Sequence, residues 1–177
     1  MGFIKFGWVT AITVLYFFFG DWVPFKGDGC KIEFPGTPTS QVQSVKTALG
    51  DLTMNIHMYE VPAGATDDNF LYGLIDSEYP DSVINSDKKE LLDQFFRKSV
   101  DGAVSNVHGQ LLTEQTIGLE GYPGRDIRVN YQQGVAVIRM RFYLVRNRLF
   151  LLQTITDPKK ESNPSIGRFF DSFSLLR

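Results

Sequence analysis

A chain of 177 residues, 43% hydrophobic and 14% aromatic, is long enough for one domain with a packed core, too short for two comfortable ones, and not disordered. Its 18 basic and 20 acidic residues leave a net charge of −2, without the basic surplus by which nucleic-acid binders displace counterions. The single cysteine, Cys30, excludes an intrachain disulfide, so cysteine usage does not report the redox compartment.

Residues 3–20 are nearly all apolar or aromatic, with Lys5 as their one charge. As a helix they would span about 27 Å, just under the ~30 Å hydrocarbon thickness of a bilayer. An N-terminal hydrophobic helix over residues 1–21 is therefore expected, with three readings: an uncleaved single-span anchor, a cleaved signal peptide, or a buried helix. Gly20 could close a cleavage site, but Phe18 stands where a second small residue is needed, which favours the anchor. Lys5 and the terminal amine would hold the N-terminus in the cytoplasm. The domain would then lie on the extracytoplasmic side, periplasmic or outer, and would be secreted if the segment were removed. Residues 22–29, with Pro24, Gly27 and Gly29, read as an exit linker, and residues 30–177 as the domain.

Within the domain, residues 30–34 (CKIEF) alternate as a short strand, which makes Cys30 a small buried residue rather than a lipidated one. Residues 41–49 read as a second strand and Gly50-Asp51 as a turn. Leu52, Met54, Ile56 and Met58 alternate with Thr53, Asn55, His57 and Tyr59, a half-buried strand with His57 on its polar face. After a loop over residues 62–68, Phe70, Tyr72 and Leu74 predict one face of another strand. Leu92, Phe95, Phe96, Val100, Ala103 and Val104 fall at helical spacing, with Lys88, Lys89, Asp93, Arg97 and Lys98 opposite. This is one long amphipathic helix, with Asp87 and Glu90 as a variant capping box. Residues 108–117 read as a strand with His108 at its exposed start, and residues 118–124 as a turn. Asn163-Pro164 opens a short C-terminal helix carrying Ile166, Phe169, Phe170 and Phe173, and residues 172–176 suit a small edge strand.

Residues 120–156 alternate apolar and polar positions, interrupted only at Gly134 and near Asn147, and predict three strands of an antiparallel meander. A two-residue turn at Gln133-Gly134 places Val129 opposite Ile138 and Ile127 opposite Met140 on one face. Arg128 then meets Arg139, and Asp126 meets Arg141, on the other. A three-residue turn would mix charge with core on both faces, which is costly. Phe142 and Leu144 join Leu149 and Leu151 on the first face, with the second turn at Arg146-Asn147 or Asn147-Arg148. Tyr143, Val145, Phe150 and Leu152 make the second face apolar at this end as well. Both faces need cover. The expected architecture is α+β: an antiparallel sheet sandwiched between the long helix and the C-terminal helix (α/β/α), preceded by the N-terminal hydrophobic helix. Arg128, Arg139, Arg141 and Asp126 are the candidate surface, read either as a solvated or carboxylate-paired ladder or as a site for an anion or a protein partner.

Five segments carry a resemblance: Ile32-Glu33-Phe34-Pro35-Gly36-Thr37-Pro38, Asp76-Ser77-Glu78-Tyr79-Pro80, Gly121-Tyr122-Pro123-Gly124-Arg125-Asp126, Leu144-Val145-Arg146-Asn147-Arg148-Leu149-Phe150 and Phe169-Phe170-Asp171-Ser172-Phe173. Over residues 30–176 the chain resembles bacterial PsbP-like domains, relatives of the extrinsic PsbP subunit of photosystem II. The resemblance implies an antiparallel sheet with helices and carries no catalytic or metal-ligating residues. The leading expectation is a membrane-tethered, extracytoplasmic, non-catalytic binding or accessory domain. It has no catalytic, cofactor or metal residues assigned, no nucleic acid as partner, and the membrane as partner through its N-terminal helix. An enzyme with a site at the helix–sheet cleft is the first alternative, with His57, His108, Cys30 and the carboxylates as its scattered candidate groups. A photosystem II accessory protein is the second.

Overall fold

The structure, a computed structural model, describes residues 22–47 and 50–176. The expected hydrophobic helix over residues 1–21 lies outside the described residues. Among those that are described, no helix is long and apolar enough to cross a membrane.

Among the described residues, ten strands and two α-helices follow one another as β1 (Val23–Gly27), β2 (Cys30–Phe34), β3 (Thr39–Thr47), β4 (Gly50–Glu60), β5 (Asn69–Glu78), α1 (Lys89–Asn106), β6 (Gln110–Leu119), β7 (Tyr122–Tyr131), β8 (Ala136–Val145), β9 (Arg148–Thr156), α2 (Pro164–Asp171) and β10 (Ser174–Leu175). Seven of the strands form one antiparallel sheet in the order β3-β4-β5-β9-β8-β7-β6. The remaining three form a small sheet in the order β1-β2-β10.

The meander has the expected register. Asp126 pairs with Arg141, Ile127 with Met140, Arg128 with Arg139 and Val129 with Ile138. The connection itself is longer than expected. Tyr131 pairs with Ala136, so the loop is Gln132 to Val135, with Gln132, Gln133 and Gly134 all at positive φ. Removing one pair from each side of a turn leaves every other pairing unchanged, which is why the parity argument survives. The second turn is Arg146-Asn147, with Val145 opposite Arg148 and Arg146 at φ 54°.

One face of the large sheet carries α1. Phe96 and Val100 are fully buried against Ile127, Val129, Ile138, Met140, Phe142 and Leu144. The other face is covered differently from expectation. Phe150, Leu152, Tyr143, Tyr72 and Leu74 pack against Cys30, Ile32 and Phe34 of β2 as well as Ile166, Phe169, Phe170 and Phe173. The expected α/β/α sandwich is therefore incorrect, because a second sheet shares this face with a short helix. The physical reason is width. An eight-residue helix is about 12 Å long, whereas seven strands span about 29 Å. The segment expected as an exit linker supplies the difference: Asp28-Gly29, with Gly29 at φ 75°, closes the β1–β2 hairpin.

Other local differences have identifiable causes. Gly50 and Asp51 are strand residues opposite Thr47 and Lys46. Phe70 is 52% exposed although Tyr72 and Leu74 are buried, because the β5–β9 register shifts between Asn69 and Leu71. The Asp87–Glu90 capping box does not form. Lys88 occupies the N-cap of α1 without a side-chain bond, and the Asp87 amide donates to Asn85 Oδ1 at 3.0 Å instead. Gly124 belongs to β7, not to a turn: a Cβ there would stand 2.4 Å from the Phe142 carbonyl oxygen. The turn is Glu120-Gly121, between Leu119 and Tyr122. At α2 the expectation holds, with Asn163 capping through a bond from the Ile166 amide at 3.2 Å and Pro164 following it.

Candidate functional site: one arginine ladder, one acidic cleft and one apolar groove

β7 and β8 bring Asp126, Arg128, Arg139 and Arg141 onto one face, as their register requires. Asp126, only 8% exposed, accepts from Arg139 Nε at 3.2 Å and Nη2 at 2.8 Å, and from Arg141 Nε at 2.9 Å. Arg141 also faces Asp171, the last residue of α2, at 3.4 Å. Arg128 pairs with Glu161, in the chain between β9 and α2. The guanidinium groups of Arg139 and Arg141 lie 5.5 and 4.7 Å from the Phe170 ring centroid. Three arginines thus meet three carboxylates of the same chain. The repulsion between Arg128 and Arg139 is offset internally, and an external anion would have to displace one of these partners.

A second charged centre was not anticipated. Arg148, at the start of β9, reaches Asp28 Oδ2 in the β1–β2 turn at 2.7 Å, Glu78 Oε2 at 2.9 Å and Asp76 Oδ1 at 3.4 Å. Asp76 is 1% exposed. Asn55 Nδ2 donates to its Oδ1 at 3.1 Å, and no donor among the described residues reaches its Oδ2. Burial pushes this carboxyl above its usual range, and Asn55, Arg148 and His57 draw it back. Thr53, Asn55, Asp76, Glu78, Tyr79, Pro80 and Arg148 line a cleft of about 390 Å³ here. One signal was available in the sequence: Asp76 follows Tyr72 and Leu74 at period two, so it is a carboxylate on a buried strand face.

The groups considered for catalysis are placed as follows. Cys30 is completely buried in β2, and burial pushes its thiol to about 12. His57 is half-buried, packs 4.5 Å from the Phe25 ring, and pairs through Nδ1 with the Ser40 hydroxyl at 2.8 Å rather than with a carboxylate. Desolvation lowers its pKa, opposed by Asp76. His108 is exposed, at φ 50° just after α1. Asp67 accepts from the Tyr72 hydroxyl at 2.7 Å and the Asn69 amide at 2.8 Å, which ties the β4–β5 loop down.

The third feature is an apolar groove. α1 packs over β7 and β8 and leaves the β4 side of the same face open. Leu52, Met54, Ile75, Leu151, Ala103 and Val107 are among the side chains lining a groove of about 330 Å³, with Ser77, Tyr79, Lys98, Ser99 and Gln153 as polar members. Gly102, on the α1 wall, is notable. A Cβ there would meet nothing within 4 Å, so the packing does not require glycine. Glycine also weakens a helix interior by about 1 kcal/mol relative to alanine.

No family model and no curated protein sequence matches the chain. Solved structures similar to it include the crystal structure of PA94 from Pseudomonas aeruginosa, a protein of unknown function, at 14% identity and a TM-score of 0.46, covering 84% of this chain and 91% of that one. They also include the solution structure of the cyanobacterial PsbP, CyanoP, from Synechocystis sp. PCC 6803, at 12% identity and a TM-score of 0.47, covering 89% of this chain and 94% of that one. A PsbP structure is thus among those whose overall course resembles this chain. Likeness at this identity brings neither family membership nor an activity with it.

Proposed function

We propose that the chain is a non-catalytic binding domain that holds a small apolar molecule in the groove between α1 and the β4–β5 side of the sheet. The observation that carries this reading is the groove itself, whose volume of about 330 Å³ and mainly apolar lining with a few polar groups match small-molecule sites. Gly102 supports it, since a residue that weakens the helix and fills no packing need keeps the groove wall low. The domain is held at the extracytoplasmic face of the membrane by residues 3–20, the reading favoured by their apolar length and by Lys5.

The test substitutes Gly102→Phe, which puts a ring into the groove without a clash at Cβ. The fluorescent probe anilinonaphthalene sulfonate should bind the wild-type protein saturably and bind the variant at least about tenfold more weakly, with thermal stability unchanged or raised. Equal binding by both proteins would end the reading of the groove. Tethering is tested separately by alkaline carbonate extraction of membranes carrying the full chain, where release into the soluble fraction with residues 1–21 intact would refute it.

A further inference from the structure

Asn69 of β5, Thr156 of β9, Val137 of β8, Asn130 of β7 and Gln110 of β6 stand in one row at one end of the large sheet. Phe70 and Leu112 occupy the register shifts of β5 and β6 beside this row, and Val135 closes the β7–β8 loop. All three are exposed, at 52%, 45% and 63%. They lie within four strand spacings, about 19 Å. Among the described residues the other large apolar side chains so exposed are Val42 and Leu176. Val42 sits opposite Asn55, well up the sheet, and Leu176 beside Gly29, toward the end where Asp28 meets Arg148. An irregular strand position re-aims its side chain, and here two of them present apolar groups to water. Single exposed apolar residues are ordinary, whereas three gathered on one rim mark a contact surface.

We propose that this rim docks into the interfacial layer of a lipid bilayer, with Phe70, Leu112 and Val135 seated at the boundary between headgroups and acyl chains. This rests on the reading of residues 3–20 as a membrane tether, and adds which surface of the domain meets the lipid. The covalent path selects the rim. Only Asp21 separates the apolar stretch from Trp22, so Trp22 stands within ~7 Å of the end of that stretch. Trp22 belongs to the same end of the domain. Its ring lies 5.6 Å from that of Tyr72, whose hydroxyl accepts from Asn69, and it borders Pro164 at the start of α2. A headgroup layer is roughly 5–8 Å thick, so the tether holds this rim at its level. The ten residues of β5 carry the opposite end about 30 Å away. Tryptophan favours the same layer. Nearby charges are paired within the chain, Lys160 with Asp68 and Arg168 with Glu33, so apolar burial rather than headgroup charge carries the contact and neutral lipid suffices.

The test places an environment-sensitive thiol fluorophore on the full chain, one site at a time, through Phe70→Cys, Leu112→Cys or Val135→Cys, with Val42→Cys and Leu176→Cys as references. Cys30 is completely buried and should take no label. Each protein is reconstituted into phosphatidylcholine vesicles with and without nitroxide-bearing lipid. Labels at 70, 112 and 135 should be quenched by the nitroxide and be at least about twofold less accessible to aqueous iodide than those at 42 and 176, as burial ~5–10 Å into the interface requires. High salt should change neither result. A chain that resists carbonate extraction while the three rim labels remain as open to iodide as the references overturns the proposal and leaves the tether standing. Shielding from iodide without nitroxide quenching also overturns it, because a second copy of the chain, not lipid, would then cover the rim. Release of the chain from the vesicles overturns the tether and the docking together.

Discussion

Replacing Asp126 by alanine should be among the costliest single changes on the polar side of the meander. The carboxylate accepts three charge-assisted hydrogen bonds, two from Arg139 and one from Arg141. At ~1.5–3 kcal/mol each their gross worth is roughly 4.5–9 kcal/mol. Several terms reduce it. Arg139 and Arg141 are 34% and 20% exposed, so water recovers part of their solvation. Arg141 keeps Asp171, and both guanidinium groups keep the Phe170 ring. The desolvation cost of the carboxylate itself is also recovered. The expected net loss is about 3 kcal/mol, at the low end of the ~3–5 kcal/mol seen when one partner of a fully buried pair is removed. For a chain of this length that corresponds to a fall in Tm of about 6–12 °C. Urea denaturation measures it directly, at low and at high salt, since a partly buried pair is screened far less than an exposed one. A second readout tests the charge balance. With Asp126 removed, Arg139 and Arg141 become an open anion site, so phosphate should stabilise the variant and leave the wild type unchanged. A loss below about 0.5 kcal/mol, or equal stabilisation of both proteins by phosphate, would refute the reasoning.

Gly102→Ala should raise stability by about 1 kcal/mol in the same denaturation assay, because the new methyl group meets nothing and the helix gains. Asn163→Ala should lower it by about 1–2 kcal/mol, since the side chain both caps α2 and exchanges hydrogen bonds with Asn69 at 3.1 and 3.0 Å. Cys30 should resist thiol reagents in the native protein and react at once in urea; its folded pKa of about 12 lies above the ordinary 9.0, so stability is lost as pH rises through that interval. Asp76 behaves alike at acid pH. The unfolded chain releases this proton near 3.8 while the folded one holds it longer, so stability falls as pH climbs upward from 3.8, and Asp76→Asn should flatten that slope.

Much of the fold was legible because it is written locally. The half-buried strand over Leu52, Met54, Ile56 and Met58, the aromatic stripe of α1 and the cap at Asn163-Pro164 all follow from periodicity or turn chemistry. The β1–β2 hairpin was also written locally, in Asp28-Gly29, but proline and glycine there read more readily as a linker. The arginine ladder was half legible. Register places Arg128 against Arg139 and Asp126 against Arg141, but Glu161, which pairs with Arg128, and Asp171, which faces Arg141, come from outside the meander. Of the cleft at Arg148 only Asp76, a carboxylate on a buried strand face, was legible, since the cleft joins Asp28, Asp76 and Arg148, residues far apart along the chain.

By itself the sequence determined the pairing of β7, β8 and β9, because a slip by one residue would turn Ile127, Val129, Ile138 and Met140 outward and carry their charged neighbours into the core. Only the tertiary structure decided what covers the second face and which carboxylates neutralise which arginines. Those outcomes depend on the width of a seven-stranded sheet against the length of an eight-residue helix, and on contacts between distant segments, and neither quantity is carried by a local alternation of side chains.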